Sequence, residues 1–185
     1  MNNLKVTRKR GCKSGQVWVE TVVYTLIAFA LIGLVLAFVK PKIEELQDKA
    51  IIEQTIQMME EINLQIDSIR DVPGNKRSIE LVIKKGALTI DGVQNKILFE
   101  LESRYAYSEF DKTVSAGGSD IIFAKTIEKG KYNDITLEMD FQNDFGLTYE
   151  GEEEIKLLSS GPTAHKLFVE SKMIEDKLNI NFELG

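Results

Sequence analysis

The chain has 185 residues and a mass of 20.9 kDa, with 43% hydrophobic residues, 28% charged residues and a formal charge of -6. One His, one Cys and three Pro leave little material for metal sites, disulfides or Pro-rich linkers. A net acidic chain with its basic residues gathered in one short tail is a poor match for nucleic acid.

The averages conceal a segregation. Lys5, Arg8, Lys9, Arg10 and Lys13 precede every acidic residue. Without those five, 18 basic residues face 29 acidic ones, a balance of -11. Next comes Val17–Val39, 23 residues whose only charge is Glu20. Within it, the 18 uncharged residues Val22–Val39 would make a helix about 27 Å long, close to the ~30 Å hydrocarbon core of a bilayer. This predicts a single transmembrane helix over residues 16–40. Five positive charges before it and Lys40 and Lys42 after it predict an inside amino terminus and an outside carboxy terminus. A secretory signal peptide fits less well. Its apolar region would be roughly 7–15 residues and would end at a small-residue cleavage site. Here the run is longer, and Lys40-Pro41-Lys42 leads into another helical pattern.

Glu20 is the unusual residue, since a carboxylate in a hydrocarbon-facing helix costs roughly 2.5–3.5 kcal/mol and usually has a partner. Just upstream, Lys13-Ser14-Gly15-Gln16 closes the basic tail. A basic leader, Gly15, Gln16, then Glu20 and a long apolar helix together resemble the prepilin-type leader, the class III signal peptide, of archaeal type IV pilins. The resemblance covers residues 5 to about 40.

The resemblance implies that a membrane prepilin peptidase cuts between Gly15 and Gln16, so that residues 1–15 are a discarded leader. Glu20 becomes the fifth residue of the mature chain and pairs with the amino terminus of a neighbouring subunit. A carboxylate stranded in an apolar medium favours such an arrangement because it supplies a cation. The chain departs from the pattern at Ser14, where many archaeal prepilins carry Lys or Arg. Arg10-Gly11 satisfies the basic-Gly pattern and stays open as a rival cut, though it moves Glu20 to the ninth mature position. Cys12 falls in the leader for a cut after Gly15, which leaves a mature chain without cysteine.

Past Pro41, which is expected to bend the helix near the membrane surface, apolar residues continue at helical intervals. They are Ile43, Leu46, Ala50, Ile52, Ile56, Met59, Ile62, Ile66 and Ile69. Glu44, Glu45, Asp48, Glu53, Glu60, Glu61 and Asp67 fill much of the remaining surface. This predicts an amphipathic extension over 41–72, stopped by Val72-Pro73-Gly74-Asn75, with its stripe against the chain's own β domain. A coiled-coil stalk is the rival, disfavoured because the spacing drifts from strict heptads.

From about Arg77 the period changes to two. The strand candidates are Ile79–Ile83, Ala87–Asp91, Ile97–Leu101, Ile121–Ile127, Asn133–Phe141, Leu147–Leu157, Lys166–Glu170 and Leu178–Leu184. The expected fold class is therefore α+β, with one long amino-terminal helix packed on an antiparallel sheet or sandwich over 77–185. Chemistry is scarce in this region. His165 reads as an exposed loop residue, and Asp140–Gly146 fails the spacing of a calcium loop. The Glu150–Glu154 cluster reads as a solvated turn, and no phosphate loop or zinc spacing occurs. No Asn-x-Ser/Thr sequon occurs in the 185 residues. The expectation is a non-enzymatic protein without cofactor, metal or nucleic-acid partner. Its partners would be a prepilin peptidase, the membrane before assembly, and other pilin subunits in a surface filament for adhesion. An unprocessed single-pass membrane protein presenting a β domain for binding is the alternative.

Overall fold

A computed structural model describes residues 14–174 and 177–185. The fold is α+β: one long amino-terminal helix, α1 (Ser14–Arg70), followed by ten strands in two sheets. The chain falls into two compact units that divide α1 after Ile43, so Glu44–Gly185 holds the second half of α1 and both sheets.

In that second unit the first sheet contains β1 (Lys76–Leu81), β9 (His165–Ile174), β10 (Lys177–Leu184) and β7 (Gly146–Tyr149), in that spatial order. β1 and β10 pair antiparallel with β9, whereas β7 runs parallel to β10. The second sheet is wholly antiparallel. Its order is β4 (Thr113–Ser115), β5 (Ile122–Lys129), β6 (Tyr132–Asp140), β3 (Lys96–Ser103), β2 (Ala87–Asp91) and β8 (Ile155–Ser159). Alternation builds one inner face: Ile97, Phe99, Leu101 and Ser103 of β3 are buried, while Glu100 and Glu102 between them are exposed. Leu167, Val169, Ile180 and Phe182 do the same for the first sheet.

Between the sheets and α1 runs a single hydrophobic core. The helix contributes Ile52, Ile56, Met59, Ile62, Ile66 and Ile69, none more than 4% exposed. Each such side chain contributes roughly 1.5–3 kcal/mol through burial. This confirms the second part of the expected stripe and corrects the first. Ile43, Leu46 and Ala50 are exposed, and the face that meets the sheets begins instead at Asp48, four residues before Ile52. Val72 closes the helix by donating its N–H to Ile69 O at 3.0 Å. Gly74, at φ 85°, then takes the left-handed turn that Gly makes without steric cost. Gly74 N–H donates to Ser171 O and Ser171 N–H to Asn75 O, which ties the helix end to β9.

Other boundaries moved as well. The run Leu147–Leu157 is two strands in different sheets. Glu150 and Gly151, at φ 52° and 89°, turn the chain between them. Glu150 N–H bonds Phe182 O at 2.9 Å, so β7 stays with the first sheet while β8 joins the second. The strand expected over Ile79–Ile83 starts earlier and ends at Leu81, and the one expected over Lys166–Glu170 continues to Ile174. β4, only three residues long, carries too little pattern to be read from sequence.

Candidate functional site: the amino-terminal helix

Leu, Ala, Ile, Val and Phe dominate Val17–Val39, and no Pro interrupts the helix before Pro41, which lies inside α1. Such a sequence supports a helix that is apolar all round, in contrast to the one-sided extension. Every residue from Val17 to Lys40 is exposed. Trp18 and Phe38 are each 71% exposed and Tyr24 is 70% exposed. Contiguous apolar surface on this scale marks a segment that meets lipid or another protein.

Two hydroxyls in this segment are satisfied within the helix. Thr21 donates its hydroxyl to Val17 O at 3.0 Å, and Thr25 donates to Thr21 O at 2.8 Å. Back-bonding of this kind removes two donors that hydrocarbon could not satisfy. Glu20 is exposed and lies four residues, about one turn, after Gln16. The Gly15–Gln16 peptide bond falls in the first turn of α1, which begins at Ser14. The basic tail, the rival cut at Gly11 and Cys12 lie outside the described residues.

In the sheet unit the charged groups are arranged as paired surface ladders. Lys76 Nζ reaches Glu183 Oε2 at 2.5 Å, and Lys172 lies 3.1 Å from Glu170. The Lys76 bond is the main cause that lowers the Glu183 pKa from its ordinary value, and reciprocally the Glu183 bond raises Lys76. Lys96 bridges Glu138 at 2.5 Å and Asp140 at 3.2 Å, and its pKa is raised chiefly by the Glu138 bond. Asp134 does the same to Lys129. Burial, with a bond to Glu150, raises Tyr149.

His165 is the first residue of β9 rather than a loop residue; it is half-buried, with Nε2 2.9 Å from Ser159 O. An open groove of about 550 Å³ lies on the outer side of the second sheet, lined by Glu100, Glu102, Asp134, Lys129 and apolar neighbours. Among the described residues, no group of three His, Cys, Asp or Glu is placed to hold a metal ion.

The sequence placed Asp48 on the solvated face of the helix, whereas it is a buried carboxylate paired with Lys85 and capped by the Arg104 backbone. Asp48 is 6% exposed. Its Oδ1 accepts from Lys85 Nζ at 2.5 Å, and its Oδ2 accepts from the Arg104 backbone N–H at 2.7 Å. A carboxylate at a core-facing helical position reads as surface in a sequence, so the only signal was its spacing of four from Ile52.

Fold and helix together define an α+β protein that carries, among the described residues, one amino-terminal helix long and apolar enough to cross a membrane. No family model matches the chain, and no curated protein or solved structure matches it.

Proposed function

We propose that the chain is a prepilin: the precursor of a structural subunit of an archaeal type IV pilus-like surface filament, with adhesion as its role. Residues 1–15 are the leader, and the peptidase cuts between Gly15 and Gln16 on the inner side of the membrane. The helix over 16–40 holds the subunit in the bilayer and then passes into the filament interior, while the sheet unit faces outward. The observation that carries this reading is the apolar helix Val17–Val39, exposed throughout, which carries Glu20 and follows Gly15-Gln16 in sequence. A soluble protein has no use for such a surface, whereas both a bilayer and a bundle of like helices cover it. Glu20 gives the segment its one acidic group, and in this reading it pairs with the new amino terminus of an adjacent copy.

The test is to shear surface filaments from cells expressing the wild-type chain or Glu20→Ala. Wild-type chains beginning at Gln16 should appear in the sheared fraction. The Glu20→Ala chain should be processed normally and remain in the membrane. An unchanged filament yield would remove Glu20 from its role. A full-length chain held only in the membrane would favour the single-pass binding protein instead.

A further inference from the structure

Contacts between α1 and the rest of its unit change character along the helix. From Ile52 to Ile69 they are mainly apolar, with six buried hydrophobic side chains repeating every three or four residues and one side-chain bond at the edge, from Lys84 Nζ to Gln54 Oε1 at 2.8 Å. Before Ile51 they are polar and cationic. Asp48 has both oxygens engaged, by Lys85 and by the Arg104 backbone. Glu44 Oε2 stands 2.5 Å from Arg104 Nε, and that Nε is buried without an aligned hydrogen bond. The Arg104 guanidinium lies 4.9 Å over the Tyr132 ring, and Lys49 Nζ lies 5.7 Å over that of Tyr105. Ser103 anchors the platform beneath by bonding both N–H and O of Tyr105. Glu44 is also the first residue of the unit.

We propose that this cluster is a polar latch that lets α1 leave the sheets in two steps, with residues 44–50 releasing while residues 51–69 stay docked. Opening the latch exposes charges and hydrogen-bonding groups that water solvates, and it uncovers little apolar helix surface, because Ile43, Leu46 and Ala50 are exposed already; on the sheet side it takes Lys49 off the Tyr105 ring, which stays packed on the core. Going further uncovers the half-buried Ile51, then Ile52 and a buried side chain on every turn, each leaving its partners without contacts. The resistance to undocking therefore rises sharply at Ile52. The helix can remain helical throughout, since its backbone bonds are internal. The latch thus sets how much of α1 the sheet unit holds.

Two buried serines provide near-isosteric reporters at opposite ends of the docked half, and because the Ser103 hydroxyl itself bonds Tyr105, every rate is compared with that of the same cysteine variant carrying Asp48 and Lys85. Ser103, fully buried, shares the β3 face of Phe99, which lines the cleft against Ile51, Thr55 and Met58. Ser171, also fully buried, lies beside the Gly74 turn at the far end. Thiol alkylation of Ser103→Cys and Ser171→Cys, each in full-length Cys12→Ser protein in detergent micelles, reads the two ends separately. Asp48→Asn should accelerate alkylation at position 103 by about tenfold or more, the loss expected for a charged hydrogen bond. Position 171 should change by less than about threefold. Lys85→Met, which keeps the bond from Arg104 N–H, should give a smaller acceleration at position 103 alone. Equal acceleration at both positions would show one cooperative unit and overturn the latch, and so would no change at position 103.

Discussion

The two halves of α1 share a backbone conformation and little else. Val17–Val39 is apolar on every side and exposed on every side; Ile52–Ile69 is apolar on one side and buried there. The first half needs an environment and the second needs a neighbour. The difference shows that helix formation alone does not determine where a helix belongs. The arrangement of its apolar residues does, and here one continuous element is divided between two surroundings.

Substitutions can break that comparison in either half. The largest effect is expected for Ile62→Ala, whose side chain is 1% exposed. It should lower the stability of the sheet unit by about 2–5 kcal/mol in denaturant titration while leaving membrane association intact. Leu31→Arg should do the reverse: an insertion penalty of roughly 2.5–3.5 kcal/mol, seen as increased extraction from membranes, with an unchanged denaturation midpoint. If either variant moved both readouts equally, the halves would not be independent.

Gly86→Ala probes the sheet framework. Gly86 sits at φ 86°, and an added Cβ would lie 2.3 Å from Glu100 O, so a destabilisation of about 1–3 kcal/mol is expected by the same titration. The smallest effect concerns acid. Glu183 has a lowered pKa, so its contribution is complete above its ordinary value of 4.5 and is lost as the pH falls through the lower folded value. Stability curves of wild type and Glu183→Gln should therefore differ near neutrality and converge in that acid range. Parallel curves would show that the Lys76 contact contributes nothing to stability.

Much of this was legible in the sequence where a pattern was long. The apolar run, the stripe from Ile52 to Ile69 and the alternation of Ile97, Phe99 and Leu101 each repeat often enough to identify their elements. What was not legible came from long-range partners. Leu147, Thr148 and Tyr149 are buried in succession, so no alternation announced that the chain would leave one sheet and enter the other at Glu150. Asp48 looked like surface because Lys85 and Arg104, which make its burial tolerable, lie 37 and 56 residues away. The candidate site rests on residues local in sequence: Gly15, Gln16 and Glu20 lie within two turns, so the proposal draws on no long-range partner and the fold neither adds to it nor subtracts from it.

Processing at Gly15 is the central claim, and intact mass measures it directly. The full-length chain should be expressed with and without an archaeal prepilin peptidase, and the membrane fraction weighed by mass spectrometry. The predicted result is a peptidase-dependent species that begins at Gln16. A chain that keeps its full mass in the presence of an active peptidase, or one that begins at Cys12, would contradict the account.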